Sequence, residues 1–89
     1  MQNIIIINRL DNVAVALRDL ISGEKVAADG LDEFQAAENV PASHKIALKD
    51  IPAGSEIIKY GETVAVCTKD IRKGEWVHTH NLESKRWRK

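Results

Sequence analysis

The sequence predicts a small all-β fold built from short strands, and two features carry that prediction. The first is composition: of 89 residues, 44% are hydrophobic but only 4% are aromatic. The core must therefore consist of Ile, Val, Leu and Ala, and the β-branched members of this set favour strands. The second is a turn motif that recurs three times and would separate those strands. At this length the chain has room for one domain with one core.

The repeated motif runs from a basic residue through Asp to Gly and ends on Val or Ile. Its Asp side chain can accept hydrogen bonds from the backbone amides just ahead, and its Gly supplies the positive φ that ends the bend. We therefore interpret the three Asp residues as turn formers rather than catalytic acids. Their spacings of 31 and 20 residues are unequal, which argues against a regular solenoid. The copies are Arg18-Asp19-Leu20 through Gly23 to Val26, Lys49-Asp50-Ile51 through Gly54 to Ile57, and Lys69-Asp70-Ile71 through Gly74 to Val77.

The remaining elements follow in chain order. The run of four isoleucines from Ile4 to Ile7 predicts a first strand, because it is too short for a signal-peptide core or a membrane span. Residues 31–38 have Leu31, Phe34 and Ala37 at helical spacing, so one or two helical turns or a short strand are both open. Tyr60-Gly61-Glu62 indicates a turn between a strand ending near Lys59 and one starting near Thr63.

The lone cysteine and the balance of charges limit the compartments and the partners expected for this protein. Cys67 can form no internal disulfide, which fits a reducing compartment and predicts a cytoplasmic protein. Its neighbours suggest a strand, where it would act as a small buried hydrophobe. The formal net charge is zero, which argues against general nucleic-acid binding. We divide the chain into a domain over residues 1–84 and a basic tail over 85–89. That tail, in which four cations surround Trp87, is either solvated or a docking segment for an acidic partner.

Three histidines are candidates for chemistry. His78 and His80 flank Thr79 at the end of an apparent strand, where residues i and i+2 share a face about 6.6 Å apart. Two imidazoles so placed could share a metal ion or bind a carboxylate, or could simply be exposed polar residues. Two ligands are too few for a closed site, so a third would come from His44 or from another chain. Lys45 and Lys59 also lie at strand ends and could hold a substrate carboxylate, or be ordinary edge charges.

Four stretches, in order, resemble the N-terminal domain of the altronate and galactarate dehydratase family: Asp11–Ala16, His44–Ile51, Ile57–Gly61 and His78–Leu82. The resemblance covers nearly the whole chain. It implies a SAF-type domain with a β-clip fold, which occurs either fused to a large catalytic portion or as a separate small subunit. Because the chain stops shortly after His78–Leu82, we expect the separate subunit or an excised domain. Ser43 and Ala65 depart from the family by replacing glycines that are common there.

The resemblance also implies a function, namely a part of a hydro-lyase that is inactive alone. In an altronate dehydratase this chain would assist metal-dependent β-elimination of water from a sugar acid, giving a 2-keto-3-deoxy sugar acid. The divalent metal, iron or manganese, would be held mainly by the large catalytic subunit. Alternatives are the small subunit of (2R)-sulfolactate sulfo-lyase and a non-catalytic SAF binding module; neither a nucleic acid nor a membrane is expected as a partner. The implied site residues are His78, His80 and His44 for catalysis, the first two also as metal ligands, with Lys45, Lys59, Tyr60 and Asn81 for substrate binding.

Overall fold

The computed structural model describes residues 2–84, and within that range every regular element is a short strand. This confirms the all-β prediction, and no helix in the described range is long and apolar enough to cross a membrane. The basic tail over 85–89 lies outside the described residues. The strands are β1 Ile4–Ile5, β2 Val13–Ala16, β3 Lys25–Val26, β4 Phe34–Gln35, β5 Lys45–Ala47, β6 Glu56–Lys59, β7 Glu62–Cys67, β8 Trp76–Val77 and β9 Leu82–Ser84.

The strands form three small antiparallel sheets. The largest has the order β1-β2-β5-β8, the second β6-β7-β9, and the third is the β3-β4 pair. Phe34 lies opposite Val26 in that pair, so the short-strand alternative for residues 31–38 is correct and the helical one is wrong. The helical spacing misled because it spanned only eight residues. The predicted turn after Lys59 is confirmed, with both Tyr60 and Gly61 at positive φ.

The Asp residues of the repeated motif are turn residues, but they do not bond to amides just ahead in the chain. Instead the corners face each other in pairs. The Asp50 Oδ1 accepts from the Lys73 amide and the Asp70 Oδ1 accepts from the Ala53 amide, both at 2.8 Å. Ile51 and Ile71 exchange two backbone hydrogen bonds of 2.7 and 2.8 Å between the same two corners. Each Asp thus bonds to an amide in the opposite corner. Reasoning from local turns alone therefore predicted the wrong hydrogen-bond partner.

The partner of the 19–23 corner is a fourth corner, at residues 39–43, that the sequence motif does not reveal. Leu20 and Val40 exchange backbone hydrogen bonds of 2.8 and 2.9 Å, as Ile51 and Ile71 do. The Asp19 Oδ1 accepts from the Ala42 amide at 2.8 Å. In this corner Asn39 replaces Asp, and its Oδ1 accepts from the Ser22 amide at 2.8 Å. Ser43 replaces Gly and has a φ of 71°.

With the fourth corner included, the corner spacings become 20, 11 and 20 residues, and the chain reads as a duplication with an offset of 31. Residues 16–46 and 47–77 align without a gap. The hydrophobic core correspondingly consists of two buried clusters rather than the single core that chain length suggested. Equivalent members are Ala16 and Ala47, Leu20 and Ile51, Val26 and Ile57, Ala36 and Cys67, Val40 and Ile71, and Ile46 and Val77. The burial expected for Cys67 is confirmed, and it raises the pKa of that thiol.

Three buried asparagines hold the strands that leave the glycine corners. In each case the asparagine Nδ2 donates to the backbone carbonyl two residues after the corner glycine. The asparagine Oδ1 accepts from the backbone amide four residues after that glycine. These bonds stabilise the fold because the asparagines are buried, and a buried polar group left without a partner costs about 1–3 kcal/mol. The three clamps are Asn3 on Lys25 and Ala27, Asn12 on Glu56 and Ile58, and Asn81 on Trp76 and His78, with distances from 2.8 to 2.9 Å.

Candidate functional site

The three histidines, separate in sequence, meet around the side chain of Trp76. His44 directly precedes β5, while His78 directly follows β8 and His80 lies two residues further on. The two strands are antiparallel neighbours in which Ile46 lies opposite Trp76. Because the start of one antiparallel strand lies beside the end of the other, this pairing brings His44 to the end of β8.

The ring geometry shows direct contact among these side chains. The indole of Trp76 and the imidazole of His78 are stacked, with centroids 5.3 Å apart and an interplanar angle of 8°. The rings of His44 and His78 are tilted, with centroids 4.8 Å apart. His80 approaches the same indole at 5.2 Å and 50°. All three imidazoles therefore share one aromatic neighbour.

One hydrogen bond joins the side chains of His44 and Trp76. The Trp76 Nε1–H donates to the His44 Nδ1 at 3.1 Å, and the two rings meet edge to face with centroids 5.5 Å apart. An indole N–H can only donate, so the Nδ1 that receives it carries no proton. The neutral imidazole then bears its proton on Nε2.

The prediction that His78 and His80 share one face of a strand is wrong, because β8 ends at Val77. The two histidines lie instead in a tight turn closed by the Asn81 amide, which donates to the His78 carbonyl at 3.0 Å. The Asn81 side chain accepts from the His78 amide and donates to the Trp76 carbonyl. Asn81, predicted to bind substrate, is only 4% exposed, and both ends of its amide are bonded to the backbone that presents the histidines.

Two lysines supply positive charge to the site. Lys45 is half-buried, and its pKa is lowered by burial and then by the nearby charge of Lys59. The Lys59 Nζ lies 4.9 Å from the centre of the exposed Tyr60 ring, a cation–π distance. The pKa of His78 is lowered by burial first, then by His44, Lys45 and His80.

We call His44, Lys45, Lys59, His78 and His80 the basic cluster. Neither lysine forms an ion pair within the described part of the chain, where Arg18 pairs with Glu24. A carboxylate does lie near the cluster, since the Glu38 Oε2 accepts from the Trp76 amide at 3.0 Å. Mutual repulsion of the cations disfavours their charged forms, and an added anion would reverse that effect. The arrangement is thus chemically suited to an anionic ligand.

The described residues do not by themselves form a metal site. No group of three His, Cys, Asp or Glu side chains in residues 2–84 could hold a metal ion. His44, the candidate third ligand, has its Nδ1 lone pair engaged by Trp76. The proposed ligation of a metal by His78 and His80 therefore stays a prediction that needs donors from outside this range.

Trp76 and Glu38 are the site residues that sequence reasoning missed. Trp76 had one available signal, because it precedes His78 by two residues as His78 precedes His80. Glu38 had none, since its contact with the Trp76 amide spans 38 positions in the chain. Only the packing of the β3-β4 region against β8 brings Glu38 to this place.

The match to known proteins agrees with this structure. A family model described as the altronate/galactarate dehydratase SAF domain matches residues 2–85. Altronate dehydratase of Bacillus subtilis (strain 168) is 37% identical over 84 residues, which is 94% of this chain but 17% of that protein. Altronate dehydratase of Escherichia coli (strain K12) is 44% identical over 78 residues, 88% of this chain and 16% of that protein. The chain thus spans about a sixth of the length of these two relatives.

A shorter relative matches along nearly its whole length. The (2R)-sulfolactate sulfo-lyase subunit alpha of Paracoccus pantotrophus is 41% identical over 63 residues, 70% of this chain and 94% of that subunit. The resemblance first drawn from the four sequence stretches is therefore confirmed. The chain belongs to the SAF-domain family of the altronate and galactarate dehydratases.

Proposed function

We propose that this chain is the SAF domain or small subunit of a sugar-acid dehydratase, with altronate dehydratase as the first candidate. We further propose that its basic cluster binds the substrate carboxylate. The observation that carries the proposal is the convergence of three histidines and two lysines, in which Lys45 and His78 have lowered pKa values. Cations that repel one another gain most from an anion placed among them.

The reaction explains why such a cluster would be useful. In β-elimination of water from a 2-hydroxy acid, a base removes the proton next to the carboxylate, and negative charge builds up on the carboxylate oxygens. Cationic and N–H donors already aimed at those oxygens bind the carboxylate of the substrate and also stabilise the charge added in the transition state. We assign this role to Lys45, Lys59 and the Nε2–H of His44.

His78 is placed for a different task. Its lowered pKa favours the neutral imidazole near neutral pH, the form that can accept a proton. We propose that it exchanges a proton with the substrate or with the leaving hydroxyl, and that the exposed His80 assists it. We assign the principal base to a large catalytic partner. We assign the divalent metal, iron or manganese, mainly to the same partner, since residues 2–84 contain no three-donor metal group. A cytoplasmic location remains part of the proposal.

A second substrate class is favoured by a specific observation. The sulfolactate sulfo-lyase subunit alpha of Paracoccus pantotrophus is 41% identical to this chain over 63 residues, an identity similar to the 37% of the Bacillus subtilis altronate dehydratase. The small subunit of a (2R)-sulfolactate sulfo-lyase is therefore the alternative. Its substrate has a carboxylate and a sulfonate, and sulfite would leave in place of hydroxide, so the same cationic groups would serve.

The test is a kinetic comparison in the assembled enzyme, with altronate, galactarate and (2R)-sulfolactate as separate substrates. We expect turnover of altronate, and we expect Lys45→Met and Lys59→Met each to raise KM at least about tenfold, the effect of about 1.4 kcal/mol of lost carboxylate binding. Lys69→Met, at the exposed basic residue directly before the corner from Asp70 to Gly74, is the matched control and should leave KM unchanged.

The outcomes separate the alternatives. Turnover of sulfolactate alone would select the sulfo-lyase. If KM stays the same in both cluster variants and His80→Ala also leaves turnover unchanged, the cluster takes no part in catalysis and the domain is a non-catalytic binding module.

A further inference from the structure

We infer that Trp76 is a positioning residue, whose indole N–H holds His44 in the tautomer that presents Nε2–H to the substrate carboxylate. The inference rests on the proposed function for the identity of that anion, but the tautomer itself can be measured without substrate. The observation behind it is the 3.1 Å hydrogen bond from the Trp76 Nε1 to the His44 Nδ1.

The chemistry of the two groups leaves one arrangement. The indole nitrogen has a hydrogen and no available lone pair, so it must donate. The His44 Nδ1 must then accept, which the doubly protonated imidazolium and the Nδ1–H tautomer cannot do. Only the Nε2–H tautomer is compatible with this bond, and in that tautomer the free nitrogen is a hydrogen-bond donor.

Both partners of this hydrogen bond are held by their backbones. The Trp76 amide donates to the Glu38 carboxylate, and its carbonyl accepts from the buried Asn81 side chain at 2.8 Å. On the other side, the His44 amide donates to the Pro41 carbonyl at 3.1 Å and its carbonyl accepts from the Ala16 amide at 2.9 Å. The main chains on both sides of the hydrogen bond between Trp76 and His44 are thus held in place.

The packing of the indole adds to this rigidity. Trp76 contacts the first of the two hydrophobic clusters and stacks on His78 at an interplanar angle of 8°. A side chain in contact on several sides has few other rotamers open to it. Its N–H therefore stays directed at His44 without further ordering when the ligand arrives.

The tautomer decides between two roles for His44. A donor at Nε2 complements a carboxylate oxygen, and the hydrogen bond to a charged acceptor is about twice as strong as a neutral one. Metal ligation needs a free lone pair, which Nδ1 has already committed and Nε2 lacks while protonated. The bond to Trp76 thus selects anion recognition over metal binding.

The experiment is nitrogen-15 NMR of the histidine side chains in the ¹⁵N-labelled chain, at a pH where the imidazoles are neutral. The wild-type His44 should show an unprotonated Nδ1 and a protonated Nε2. In Trp76→Phe, which keeps an aromatic ring and removes the N–H, the ratio of the Nε2–H to the Nδ1–H tautomer should fall by about 2- to 10-fold, the range that one net hydrogen bond supplies. His80 contacts the indole ring but forms no hydrogen bond with the indole N–H. It serves as the control in the same spectrum, and its tautomer ratio should not change.

Two results would overturn the inference. The first is a wild-type His44 that carries its proton on Nδ1, a measurement that does not depend on whether the variant folds. The second is an unchanged tautomer ratio in a folded Trp76→Phe. If instead the tautomer is as stated but altronate and sulfolactate fail to bind the assembled enzyme, the proposed function fails while the role of Trp76 stands.

Discussion

Replacing Ser43 by glycine should stabilise this domain. Ser43 has a φ of 71° at the position where the other three corners have Gly23, Gly54 and Gly74, at 87°, 87° and 90°. Its amide donates to the Ala16 carbonyl at 2.8 Å, as the amides of those glycines donate to their own partners. The backbone therefore requires the left-handed conformation at residue 43 whatever its side chain.

The expected gain follows from two opposing effects. A residue with a Cβ in the left-handed region costs about 1–2 kcal/mol. Glycine in turn has more freedom in the unfolded chain, which costs about 0.4–1 kcal/mol. Because the Ser43 side chain is exposed, little contact is lost on its removal. We expect Ser43→Gly to raise the free energy of unfolding by about 0.5–1 kcal/mol, equivalent to roughly 2–8 °C in Tm for a domain of this size.

The equivalent corners provide matched controls, measured by thermal and urea unfolding of the same chain. Gly54→Ser should be the mirror image, because a Cβ there meets nothing within 4 Å and only the backbone conformation is strained. Gly74→Ser should cost about 1–3 kcal/mol more, since its Cβ would lie 2.6 Å from the Gln35 carbonyl oxygen. An unchanged or lower Tm for Ser43→Gly, with Gly54→Ser destabilising, would refute the equivalence of the four corners.

Three further predictions concern the clamps and the site. Asn12→Ala should lower the free energy of unfolding by roughly 1–3 kcal/mol in urea unfolding, because it removes two part-buried hydrogen bonds worth about 0.5–1.5 kcal/mol each; a loss under about 0.5 kcal/mol would contradict the clamp. Lys59→Met should raise the pKa of Lys45, followed by NMR, since it removes one of the two causes of the lowering. Burial and neighbouring charges lower the pKa of His78 in the folded chain, so the unfolded chain binds more protons and stability falls as pH drops through the ordinary histidine range. His78→Gln should show a smaller fall in Tm than wild type between about pH 7 and pH 5, and equal falls would refute this.

The sequence predicted the class of fold well because its evidence is local. A core of β-branched residues and the Asp-to-Gly corners depend on residue identity and short spacing, and both are visible in one pass along the chain. The corner at 39–43 escaped because Asn39 and Ser43 replace the two residues that define the motif, while the backbone hydrogen bonds are unchanged. The backbone conformation of a corner can be kept when its residues are replaced, although the sequence motif is then no longer detectable.

In the candidate site, too, the sequence identified residues but not how they are arranged. His44, His78 and His80 were found one by one from their types and neighbours, yet nothing local places His44 beside a residue 32 positions later. The strand geometry predicted for His78 and His80 was wrong, because the Asn81 amide closes a turn directly after Val77. The contact of His44 forms only when distant segments pack, whereas the turn at His78 is local and the strand pattern did not reveal it.

By itself the sequence determined that this chain is a strand-rich SAF domain with turn-forming aspartates and three histidines worth attention. Only the tertiary structure decided that the aspartates hold corners in pairs, that the fold repeats with an offset of 31 residues, and that Trp76 fixes the tautomer of His44. The physical reason is that strand pairing and side-chain hydrogen bonds between distant segments depend on register and burial. Register and burial can be read only from the folded structure, not from the identity and spacing of residues along the chain.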